Sequence, residues 1–174
     1  MKKLFLLTAL AGVFTFSTVK AQDPAMSGAK LGIGAEFAFP MGNFGDIADL
    51  GYGASLTYIH PLGSALKVTG SAGYTRFDYK EDVLGYSLKS EHIPLKAGLR
   101  YYVAENFFLG GELGASIPTV KNSKTSFAYA PGLGVEFPVA DKGAVELGAR
   151  YEAWSANSNT NGFIGLRLAY NFGL

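Results

Sequence analysis

The sequence predicts an all-β chain: an eight-stranded antiparallel transmembrane β-barrel preceded by a cleaved signal peptide. Three observations predict it. Between Lys30 and Leu174 apolar residues recur at every second position in eight separate stretches, the period of a strand, whose successive side chains point to opposite faces. The alternate positions carry glycine, small residues and charges of both signs. That face suits a narrow polar lumen better than the dry interface of a soluble sandwich. The connections also sort by parity. Those after strands one, three, five and seven read as longer and more polar, and those after two, four and six as tight. Short turns on one side, long loops on the other and an even strand count form the pattern of a membrane barrel.

The first residues stand apart from this pattern. Lys2 and Lys3 precede an apolar run from Leu4 to Val19, and Val19-Lys20-Ala21 ends in a small residue. These are the charged, apolar and cleavage regions of a secretory signal. The run is short for a membrane-spanning helix, which needs about 20 residues. Residues 1–21 are therefore read as a signal peptide and 22–174 as the barrel domain. The chain has no cysteine, so disulfides, thiol chemistry and a cysteine-linked lipid anchor are excluded. Removing Lys2, Lys3 and Lys20 from the 15 basic residues leaves 12 against 14 acidic. That balance does not point to a nucleic-acid partner. With 23 Gly, 13 Phe and 10 Tyr and a mean hydropathy above zero, the composition is that of a barrel whose alternate residues face lipid.

Taken in order, Asp23 to Ala29 reads as a lead-in. The first strand, about Lys30–Phe39, shows Leu31, Ile33, Ala35, Phe37 and Phe39 on one face. Turn-forming residues from Pro40 to Asp46 end it. The second, about Tyr52–His60, turns at Pro61-Leu62-Gly63-Ser64 into the third, which presents Leu66, Val68, Gly70, Ala72 and Tyr74 outward. Asp78 to about Glu91 is expected to be a polar loop. The fourth strand, Ile93–Tyr102, sets Ile93, Leu95, Ala97, Leu99 and Tyr101 against Pro94, Lys96, Gly98, Arg100 and Tyr102. The fifth starts at Phe107 and ends before a loop over Pro118–Lys124. The sixth places Phe127, Tyr129, Leu133, Val135 and Phe137 outside. The seventh begins at Val145, with Leu147, Ala149 and Tyr151 also outside. Ser155–Asn161 is expected to be a polar loop. The last strand, Gly162–Leu174, alternates most strictly: Ile164, Leu166, Leu168, Tyr170, Phe172 and Leu174 oppose Gly165, Arg167, Ala169, Asn171 and Gly173.

Eight strands close a barrel just wide enough for side chains to fill, as in small OmpA/OmpX-type barrels. The inward set is Glu36, Lys67, Lys96, Arg100, Glu112, Glu136, Glu146, Arg150, Glu152 and Arg167. Similar numbers of each sign predict a structural charge network, since a lone buried charge costs several kcal/mol, by order of magnitude. Salt bridges explain these carboxylates without acid–base catalysis. His60 falls on the outward face and reads as an interfacial residue. His92 follows Ser90 and Glu91 at a loop-to-strand junction, but adjacent strand residues point to opposite faces, so Glu91 is badly placed to orient it. Asp46 and Asp49 read as a solvated loop. No catalytic, metal or cofactor site is predicted. Outward tyrosines and phenylalanines toward the strand ends read as interfacial girdles.

The Ile93–Tyr102 strand, the Pro40-Met41-Gly42-Asn43-Phe44 loop start and the closing strand resemble the outer-membrane β-barrel domain family of Gram-negative bacteria. The likeness is to its opacity-like, porin-family small barrels of the Bacteroidetes type, over nearly all of the chain after the signal. Gly165, Leu168, Tyr170 and Phe172 resemble the carboxy-terminal signal read by the barrel-assembly machinery, although this chain ends Phe172-Gly173-Leu174. The resemblance implies periplasmic chaperones during biogenesis, with outer-membrane lipid and lipopolysaccharide as neighbours. It implies a non-enzymatic role in envelope integrity, adhesion or host contact through the loops. The alternatives are a passive porin or secretion-associated barrel, a lipid-modifying enzyme such as a lipid A deacylase, and a soluble periplasmic ligand-binding barrel.

Overall fold

The structure is a computed structural model and describes residues 28–80, 88–120, 123–157 and 159–174. The expected signal peptide lies outside the described residues. Eight strands run β1 (Lys30–Met41), β2 (Gly51–Pro61), β3 (Leu66–Asp78), β4 (Lys89–Tyr102), β5 (Phe107–Pro118), β6 (Ser126–Ala140), β7 (Gly143–Ala156) and β8 (Asn159–Gly173). Each pairs antiparallel with its sequence neighbour, and β1 pairs with β8 to close the barrel. Closure leaves no strand edge with unpaired amides, the condition for crossing lipid with strands.

The accessibility pattern is that of a soluble protein turned inside out. Along β1 it alternates without a break from Lys30 to Phe39: Leu31, Ile33, Phe37 and Phe39 are exposed, while Lys30 and Glu36 are buried. The outward positions predicted on the other strands lie outside as well, with Leu56, Leu95, Leu113, Leu133 and Leu168 among the exposed apolar residues. The Lys30↔Gly173 pair sets the described start and end of the chain at one end of the barrel, together with the 62–65, 103–106 and 141–142 connections. The opposite end carries the 42–50 connection, the end of β3 with the start of β4, and the end of β5 with the start of β6.

Three expectations are corrected. Ser155–Asn161 is not a loop: β7 runs to Ala156, β8 begins at Asn159, and Ser155 pairs with Thr160. Their hydroxyls hydrogen-bond at 2.8 Å. Polar residues form regular strand here because the hairpin stands above the apolar belt, where both faces are polar. Asn157 takes the left-handed conformation (φ 49°) at its tip, which asparagine tolerates. The long-loop parity therefore holds after β1, β3 and β5 but not after β7. Secondly, β3 runs to Asp78 and β4 begins at Lys89, inside the expected Asp78–Glu91 loop, and they pair there through Arg76↔Glu91 and Asp78↔Lys89, so His92 sits within a strand and not at its junction. Thirdly, the segment expected to be all turn contains a short helix, α1 (Asn43–Ile47).

Candidate functional site: a filled lumen under an aromatic cap

The strands place two zones of side chains inside the wall. At the loop end, Phe44 from α1 drops into the barrel mouth and meets Phe77 edge-on, ring centroids 5.0 Å apart. Phe77 in turn packs edge-on against Trp154 (5.7 Å) and Phe163 (5.4 Å). Ala38, Ala48 and Ala128 complete this buried cluster. Edge-to-face rings satisfy the aromatic quadrupole and fill the mouth with apolar volume. A helix of one turn has little stability of its own; Phe44 anchors it. The ring of His92 lies 4.5 Å from that of Trp154. Ser90 Oγ and Ser116 Oγ approach its two nitrogens at 2.8 and 3.1 Å. With a serine hydroxyl at each nitrogen, His92 is a satisfied wall residue, and among the described residues no carboxylate orients it as in a triad.

Below the cap the charges join. Trp154 Nε1 donates to Glu152 at 2.8 Å. The other oxygen of Glu152 accepts from Lys96 at 2.7 Å and from Arg150 Nε at 2.6 Å. Lys96 also reaches Glu112 at 3.3 Å. Arg150 Nη1 donates to Glu36 at 2.7 Å; Glu36 accepts from Ser55 at 2.5 Å and lies 3.4 Å from Arg167 Nε. Arg167 Nη1 donates to Glu146 at 2.8 Å, and Arg100 grips the same carboxylate with both guanidinium arms, at 2.7 and 3.2 Å. Asn171 Nδ2 spans Glu146 and Glu136, 2.9 Å from each. Glu136 then accepts from Lys30 and from the Tyr102 hydroxyl, both at 2.8 Å. The chain of contacts is continuous from cap to turn end.

All ten residues predicted to face inward lie on the lumen side, and nine of them enter this chain. Lys67 meets no carboxylate among the described residues, and its ammonium lies over the Tyr102 ring at 4.2 Å. Five participants described above are not among those ten: Lys30, Ser55, Tyr102, Asn171 and Trp154. Each obeys the same period-two parity as its inward neighbours. Lys30 opens the first expected strand, and Trp154 lies beyond the expected end of the seventh. Along β8, Leu168 and Phe172 face outward and are exposed, whereas Gly165 faces inward against Arg150, where a Cβ would stand 3.1 Å from Cζ.

Such a network needs excellent geometry to repay desolvation, and here each carboxylate has two or more donors or ion partners. Among the charges at mid-barrel the lumen keeps a cavity of about 70 Å³ beside Glu36, Ser71, Lys96, Arg100 and Glu112, room for a handful of waters. Among the described residues no cluster of three or more His, Cys, Asp or Glu side chains is arranged to hold a metal ion.

A family model described as the outer membrane protein beta-barrel domain matches residues 6–172. The chain belongs to this family. Its place is the bacterial outer membrane, its strands surrounded by lipid. The turn end that holds both described ends of the chain is then periplasmic, and the capped end extracellular. Among solved structures it is similar to Ail, the attachment invasion locus protein of Yersinia pestis. The identity is 23%, with 83% of this chain and 97% of that one covered and a TM-score of 0.57. Neisserial surface protein A is similar at 15% identity, covering 84% and 97%, with a TM-score of 0.63. OprG from Pseudomonas aeruginosa is similar at 14%, covering 84% and 96%, with a TM-score of 0.53. These likenesses show a shared fold. No curated protein sequence matches the chain.

Proposed function

We propose that this is a non-enzymatic outer-membrane protein whose lumen is a solid charged core and whose capped extracellular end is a contact surface serving envelope integrity, adhesion or host contact. The observation that carries this reading is the unbroken chain of ion pairs and hydrogen bonds from Trp154 to Lys30. It occupies the space a conducting pore needs and holds the carboxylates in pairs that leave no acid or base facing a substrate. Ail has been solved in complex with the heparin analogue sucrose octasulfate, which lends the adhesive reading a relative of the same fold. Gly165, Leu168, Tyr170 and Phe172 are proposed as the assembly signal read by the insertion machinery after delivery by periplasmic chaperones, with lipopolysaccharide packing the outer leaflet.

Planar-bilayer recording tests the central claim. The refolded protein is expected to give no steady channel steps, and discrete open-channel conductance in the wild type would instead establish a passive porin.

A further inference from the structure

Five of the six lumen cations reach a carboxylate within 4 Å: Lys30, Lys96, Arg100, Arg150 and Arg167. Lys67 reaches none among the described residues. Its side chain is nonetheless buried, 9% exposed, and its ammonium rests over the Tyr102 ring at 4.2 Å. A cation–π contact offsets part of the cost of burying an ammonium but leaves its charge uncompensated. Glu136, the nearby acid, is already shared among Lys30, Tyr102 and Asn171. Lys30 stands near enough to Lys67 to repel it. The five carboxylates of the network therefore face six cations, and the surplus sits at the periplasmic mouth.

The same mouth holds a second cavity, of about 340 Å³, lined by Lys30, Lys67, Tyr102, Ser64, Asn106 and the already ion-paired Glu136, with Glu105 on its exposed rim. It opens between the β2–β3 and β4–β5 turns, level with the end of the chain that faces the periplasm. We propose that this cavity binds a phosphate group, with the Lys67 ammonium as its principal contact and Lys30 as the second positive charge. A phosphate there would bridge two repelling ammoniums, and Ser64 and Asn106 bring further donors to the cavity lining. Two sources share this chemistry: free phosphate in the periplasm, and the phosphodiester of a lipid headgroup in the inner leaflet.

The experiment uses the refolded protein in a phosphate-free maltoside detergent. Inorganic phosphate and, separately, short-chain phosphatidylglycerol are titrated at constant ionic strength, and binding is followed by ³¹P line broadening. Saturable binding is expected in the wild type and in Lys67→Arg, and about tenfold or more weaker binding in Lys67→Met, the loss of one charged hydrogen bond. A response to inorganic phosphate assigns the site to the free anion; a response to the lipid alone assigns it to the headgroup. Equal binding by wild type and Lys67→Met, or no binding of either probe, overturns the proposal. Should Lys67→Met fail to refold, the ¹⁵N shift of the Lys67 ammonium in the wild type decides: movement on adding either probe supports the site, and a fixed shift rejects it.

Discussion

Glu136 on β6 and Glu146 on β7 are direct cross-strand partners, and both point into the barrel. Two like charges so placed repel, in a lumen that screens them less than water does. The arrangement holds because Asn171 on the next strand inserts one amide nitrogen between them, 2.9 Å from each. Lys30 then neutralises one carboxylate, and Arg100 with Arg167 the other.

Asn171→Leu, similar in volume and without donors, is expected to destabilise the barrel by about 3 kcal/mol, since two hydrogen bonds to charged groups are lost. Asn171→Asp should cost more, because it places a third carboxylate between the first two. Urea midpoints of the detergent-refolded variants measure both, and equal stability of Asn171→Asp and wild type would remove the repulsion from the account.

Removing a fully engaged carboxylate is expected to be worse still. Glu146 accepts four hydrogen bonds from Arg100, Arg167 and Asn171. Glu146→Gln leaves two buried guanidinium groups short of a counter-charge, at a cost of about 3–5 kcal/mol. The temperature at which the compact band disappears in unheated-versus-boiled gel electrophoresis should fall accordingly.

The cap depends on one close approach. Gly51 packs flat against the Phe77 ring, and a Cβ there would stand 2.5 Å from Phe77 Cε1. Phe77 is fully buried and held by three other rings, so it has no room to retreat. Gly51→Ala is expected to destabilise by about 1–3 kcal/mol as an overpacked core does, while Gly63→Ala, in an open turn, should leave the midpoint near that of wild type.

The lipid face and the lumen face of β8 should respond oppositely to charge. Leu168 is half exposed on the outer wall, paired with Ala35 midway along β1. Leu168→Arg is expected to cost about 2–4 kcal/mol at the bilayer midplane, measured by unfolding from liposomes. Arg167, its neighbour, already sits stably inside.

Much of this was legible from the alternation alone, because a closed barrel in lipid makes every residue's parity a matter of burial. The inward positions of Glu36, Arg100 and Glu146 need no more than that rule. Strand ends were less legible. Ser155, Thr160 and Arg76 are polar on either reading, and only the observed pairing shows that the sheet continues beyond the apolar belt. The cap was hidden for another reason. Phe77 and Trp154 are aromatic, as lipid-facing residues are, and lie beyond the strand ends that the sequence suggested. Which carboxylate meets which cation depends on the stagger of strands around the barrel, a quantity no local pattern carries.

The network also crosses the seam where the first and last strands meet. Glu36 on β1 is held by Arg150 on β7 and Arg167 on β8, and Lys30 on β1 by Glu136 on β6. Before β1 docks on β8, Glu36 and Lys30 lack these charged partners and face water. Sealing the cylinder and neutralising its interior are thus one event, and expulsion of that water becomes the toll on the last step of assembly. A sheet that curls in the wrong order would trap hydrated, mismatched ions, so the charge pattern doubles as a check that the eight strands have closed in the proper stagger.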